Sequence, residues 1–178
     1  MSSLIMIDRI TKGSGVSTQQ LKLTGIDDTY EKYVVIGKNF GTHYNTTLDI
    51  RVTKSGTPHT SSDYEQVGYN IIANSTSLRA RTGTANSIFQ IWVNNNGTNI
   101  YNYGTGMFYL YLTNFADASK YDYMQLYGVS ESNDQQGYNA PMSACIVKNA
   151  SASDGVIFTQ SSGVNNIFFG EIALFGIK

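Results

Sequence analysis

The sequence predicts an all-β protein, an antiparallel β-sandwich of jelly-roll type built from about eight to ten short strands. Three observations carry that expectation. The dominant hydrophobic period is two, turn-forming clusters separate the alternating runs, and no segment has convincing helical periodicity.

The strands read off in order. Leu21 and Leu23 alternate with Gln20, Lys22 and Thr24, and a short apolar run follows at Tyr33 to Ile36. Leu48, Ile50 and Val52 alternate with Asp49, Arg51 and Thr53 as a half-buried strand does. Glu65, Val67, Tyr69 and Ile71 face away from Gln66, Gly68 and Asn70. Phe89, Ile91 and Val93 alternate with Ile88, Gln90 and Trp92, and Phe108, Leu110 and Leu112 alternate with Met107, Tyr109 and Tyr111. Runs at Met124 to Val129, Ala144 to Val147 and Val156 to Thr159 continue the series, and Ile172 and Leu174 close it. Between them, Lys54-Ser55-Gly56, Asn96-Gly97, Tyr103-Gly104-Thr105-Gly106 and Ser161-Ser162-Gly163 carry turn chemistry. Asn114 to Lys120 is long enough for one helical turn. Residues 1–18 are expected to form an N-terminal arm or edge strand, and residues 19–178 a single sandwich domain. The four apolar residues Leu4 to Ile7 and the absence of a basic n-region do not make a signal peptide, and no run is long enough to span a bilayer.

Composition narrows the function classes. Only 14% of the 178 residues are charged, against about 25% in an average soluble domain, and the net charge is −1. No basic stripe marks a nucleic-acid surface, so neither nucleic acid nor membrane is expected as a partner. A surface so poor in charge favours association. The single cysteine, Cys145, excludes an intrachain disulfide and reads as a small buried hydrophobe. As a nucleophile it would need a base, and the two histidines, His43 and His59, both sit in turn-like sequence. Two histidines and one cysteine do not make a transition-metal site. Asp27-Asp28 reads as a turn in preference to part of a calcium site. The carboxylates Asp49, Asp63, Glu65, Asp117, Asp122, Glu131, Asp134 and Glu171 are scattered and do not concentrate into a glycosidase-like cleft. No phosphate-cradling loop is present. Four N-glycosylation triplets begin at Asn45, Asn74, Asn96 and Asn149, as chance produces in an Asn- and Ser/Thr-rich chain. The reading is a non-enzyme without cofactor or metal.

The second faces of two strands carry more information. Trp92 lies opposite Phe89 and Ile91, and Met107, Tyr109 and Tyr111 lie opposite Phe108, Leu110 and Leu112. A sheet face open to water should be polar there. A loop or the N-terminal arm, another subunit, or a stacked sugar ring would each explain the excess. Leu4, Ile5, Ile7, Trp92, Met107, Tyr109 and Tyr111 are therefore the interface candidates.

The segment Leu23-Thr24-Gly25-Ile26-Asp27-Asp28-Thr29-Tyr30-Glu31-Lys32-Tyr33-Val34-Val35 resembles a strand, turn, tyrosine, strand element in structural proteins of cyanophage and other marine-phage particles. Leu48 to Val52, Ser61-Ser62-Asp63-Tyr64 and the ending Gly170 to Ile177 resemble later parts of the same pattern. The resemblance implies a β-sandwich repeated on a bacteriophage virion, made in the host cytoplasm, with no catalytic residues. A short chain without stalk or collagen-like repeat fits a capsid decoration (cement) protein best. Its implied partners are the major capsid protein or other virion proteins and copies of itself, a trimer being favoured. A small tail, neck or fibre component and a lectin-like module that binds a glycan are the alternatives.

Overall fold

The computed structural model describes residues 3–12, 20–42, 48–72, 79–91, 106–132, 137–160 and 167–178. Among these the chain is all-β. It forms β1 (Leu4–Lys12), β2 (Gln20–Thr24), β3 (Lys32–Thr42), β4 (Leu48–Lys54), β5 (Thr57–Pro58), β6 (Tyr64–Ile72), β7 (Arg79–Asn86), β8 (Phe89–Ile91), β9 (Gly106–Thr113), β10 (Asp122–Ser132), β11 (Gly137–Val147), β12 (Gly155–Gln160) and β13 (Ile167–Ile177). Their pairings are antiparallel.

Two unequal sheets result. The larger has eight strands in the order β1-β13-β3-β9-β10-β11-β6-β7, and the smaller runs β2-β12-β4-β5 with β8 also paired to β4. Thirteen strands in an eight-and-five arrangement exceed the eight to ten expected and depart from a jelly roll of two four-stranded sheets. The surplus over ten is β1, expected separately as an arm or edge strand, β5, only two residues long, and β7, whose polar sequence Arg-Ala-Arg-Thr-Gly-Thr-Ala-Asn has no apolar alternation to announce it. Residues 114–120 form two successive turns in place of a helical turn, closed by Asp117 N–H to Asn114 O and Lys120 N–H to Asp117 O. Asn114 enters them at φ 67°, outside the right-handed helical region.

The core lies between the sheets. The small sheet contributes Leu21, Leu23, Leu48, Ile50, Val52, Phe89, Val156 and Phe158, and the large one Tyr33, Val35, Phe108, Leu110, Leu112, Met124, Leu126, Cys145, Val147, Ile172 and Leu174. Phe108 and Phe158 meet across the gap with ring centroids 5.7 Å apart. Gly37 makes room for the Phe108 ring, because a Cβ there would sit 2.2 Å from a ring carbon. Ser55 and Gly56 both have positive φ, which suits the two-residue hairpin turn joining β4 to β5.

On β6 the pattern inverts. Gln66 and Asn70 point inward, while Val67, Tyr69 and Ile71 stand on the outer face. Buried Tyr64 sets this parity at the start of the strand. The inward amide of Gln66 accepts a hydrogen bond from the Gln90 N–H at 3.0 Å, closing this end of the sandwich with polar contacts.

Candidate interaction surface

The outer face of the large sheet is built by parity alone. On β9 the burial alternates strictly, so that Phe108, Leu110 and Leu112 fill the core and Met107, Tyr109 and Tyr111 stand outside. Register carries the surface across the neighbours. Tyr109 pairs with Tyr127 on β10, which pairs with Met142 on β11, which pairs with Tyr69 on β6. One row over, Val34, Tyr111, Gln125, Ala144 and Val67 follow one another from β3 to β6. Tyr123, Val129 and Ile71 extend the same face.

The rings are ordered against each other. Tyr111 and Tyr127 meet edge to face at 6.3 Å, and the Tyr69 hydroxyl reaches the Met142 sulfur at 3.0 Å. Each exposed tyrosine keeps roughly two-fifths of its surface open. Charges stand at the rims, Lys32 at the β3 end of the Tyr123 row and two sets of ion pairs. Lys148 meets Glu65 at 2.7 Å on one side, and Glu171 is held between Lys38 and Arg9 on the other. These contacts keep the Glu171 carboxyl below its ordinary range, the Lys38 ammonium contributing most. Two shallow hollows of about 370 and 210 Å³ share Val67, Gln125 and Ala144 and make a furrow over β11. The small sheet is different outside, where Lys22 and Arg51 flank Ile157 in register and leave it only 3% exposed.

Of the seven candidates, Met107, Tyr109 and Tyr111 lie together on this face. Leu4 and Ile5 are exposed on β1, which hydrogen-bonds to the chain's own β13 at the sheet edge. Ile7 packs against the core instead, because a bulge between Met6 and Asp8 turns it inward. The same bulge brings the Asp8 carboxylate to the Thr24 N–H at 2.8 Å and stitches β1 to β2. Trp92 lies outside the described residues, as do His43, Asp134, Asn45, Asn74 and Asn96 and the turns expected at Asn96-Gly97 and Ser161 to Gly163. The reading of single strands missed Tyr123, Tyr127, Val67, Tyr69 and Ile71, although Tyr123 and Tyr127 share one parity opposite Met124 and Leu126.

The chain matches no protein-family model and no curated protein sequence. Its polar constellations must therefore be judged by geometry. One lies at the sandwich end. Lys54 Nζ donates to Ser151 O at 2.5 Å and stands 3.8 Å from Asp122, which accepts from Ser153 Oγ at 2.7 Å. Burial raises the Asp122 carboxyl to about 7 and lowers Lys54. Beside them His59 Nε2 lies 2.7 Å from Asp63, which also receives the Asn149 amide. Asp122 and Ser153 are both fully covered, and the group ties the 148–154 strap to β4 and β10. Cys145 is buried, and desolvation holds its thiol far above the usual range, so it carries no thiolate.

At the same end of β3, a cleft of about 590 Å³ is bordered by Asp28, Glu31, Lys32, Asp117 and Lys120. Asp117 is occupied by Lys120 at 2.6 Å and by Ser119. Asp27 is a turn former, accepting the Thr29 N–H at 2.9 Å while the Tyr33 hydroxyl donates to its carbonyl. Among the described residues no His, Cys, Asp and Glu cluster could hold a metal ion.

Proposed function

We propose that the chain is a non-enzymatic structural component of a bacteriophage particle, a capsid decoration protein that attaches to the assembled shell through protein contacts. The observation that carries this reading is the outer face of the eight-stranded sheet. Five tyrosines with Met107, Val67, Ile71 and Val129 form one continuous, uncharged patch there. Patches of this kind on a soluble domain mark contact surfaces. Depletion of charge at the centre, enrichment in tyrosine and methionine, and a polar rim are the composition of a protein interface. The phage setting comes from the strand and turn resemblance, whose 23–35 element has a physical basis in the Asp27 turn and the Tyr33 hydroxyl that closes it.

A shell protein of this kind stabilises by mass action, since it binds the lattice and not the free subunit. Several copies held together convert modest contacts into firm attachment. The major capsid protein is the proposed partner, and no cofactor takes part. A tail or fibre subunit would use the same face. Immunogold labelling of purified particles tests the placement: label distributed over the shell is expected, and label confined to tails or absent from particles would refute it.

A glycan-binding reading has one feature in its favour, the furrow in which Thr82, Thr84 and Gln125 stand beside Tyr123. Binding on a glycan array that is lost on Tyr123→Ala would establish it over the protein interface.

A further inference from the structure

We infer that the occupant of the tyrosine face is a second copy of this chain, packed sheet against sheet about a two-fold axis. The inference rests on the reading of this face as a protein interface and differs from it in the occupant, a second copy in place of the capsid protein.

Size is the first argument. From β3 to β6 the face spans five strands, or about 24 Å, and from Tyr123 to Val129 about 23 Å along the strands. The footprint is about 550 Å², so a pair buries about 1,100 Å² in total, above the roughly 1,000 Å² that a specific interface needs.

Charge is the second. The rows from Val34 to Val67 and from Tyr109 to Tyr69 hold no Lys, Arg, Asp or Glu; in the next row Lys32 and Glu65 stand at opposite ends, and Glu65 is paired with Lys148 within the chain. Nothing on the face selects a charged foreign partner or repels an identical one. The third argument is shape. Tyr123 and Tyr127 on β10 form a ridge, and the neighbouring strand β11 lies under a furrow floored by Ala144. Ridge and furrow are adjacent strands. A two-fold axis lying between β10 and β11 therefore lays the ridge of each copy along the furrow of the other, the reciprocal contact that an isologous pair requires. Two twisted sheets meeting in this way interdigitate at about 10 Å, as the layers of a sandwich do.

Sedimentation equilibrium on the full chain tests this. A dimer is expected at micromolar concentration. Tyr127→Asp places a charge on the ridge, and Ala144→Trp fills the furrow from the outer side without touching the core. Each is expected to weaken the dimer by about 30-fold or more while leaving the melting temperature close to that of the parent. A parent that stays monomeric to 100 µM (about the upper working range for such affinities), a trimer, or a dimer indifferent to both substitutions would overturn the inference. Particle attachment separates it from the broader reading. If the parent is monomeric but Tyr127→Asp no longer joins particles, the face still meets protein and only the second copy is wrong. If Tyr127→Asp joins particles normally, the face is not the attachment surface at all.

Discussion

Asp122 shows how much of this molecule is decided by single buried groups. Its carboxyl is fully covered, bonded to Ser153 and near Lys54, and burial raises it to about 7. A folded-state value above the unfolded one, about 3.9, means that the group favours folding below pH 4 and loses that contribution as pH rises towards 7. Glu171, Asp27 and Asp117 are shifted the other way, so their contributions are present at neutral pH and are lost in acid. The windows do not coincide, and Asp122→Asn is expected to flatten the fall in urea stability between pH 4 and 7. A parent and variant with parallel profiles there would remove Asp122 from the account. Tyr64 gives a second expectation. Its hydroxyl donates to His59 O at 3.0 Å and accepts from Val52 N–H at 3.1 Å inside the core. Tyr64→Phe strands both backbone groups and should cost about 1–3 kcal/mol by chemical denaturation. Some of this scale was readable in the sequence. The buried Cys145 and the turn at Asp27 follow from local composition. The Lys54, Asp122 and Ser153 group does not, since its members lie far apart in the chain and only the fold brings them together.

At the scale of elements, the alternating strands were legible wherever one parity is apolar and the other polar. β2 and β4 satisfy that condition and appear where the period of two places them. β7 fails it, because both of its parities are small or polar, and pairing to β6 is what makes it a strand. β6 is the instructive case. Its oily parity, Val67, Tyr69 and Ile71, faces out because Tyr64 at the start of the strand takes the inward parity, and Gln66 and Asn70 follow it inside. Between the layers, packing should dominate stability. Phe158 on β12 meets Phe108 on β9, and Phe158→Ala is expected to cost about 3–5 kcal/mol. Gly37→Ala probes the same contact from β3, by pushing a methyl into the Phe108 ring, and should cost about 1–3 kcal/mol. Calorimetric melting of the two variants checks both values, and near-native behaviour would mean that the inter-sheet contact is slack.

The whole molecule is asymmetric. One sheet turns lysine and arginine outward, and the other turns tyrosine and methionine outward. The sequence hinted at this through Met107, Tyr109 and Tyr111, but it could not show that β10 and β6 continue the same surface, because strand order is a property of the fold. On the proposed function this face is covered by protein where the molecule works. Electron cryo-microscopy of intact particles reads that out: density from another protein chain is expected against Tyr109, Tyr111 and Tyr127, and a face open to solvent, or filled by sugar alone, would refute the proposal.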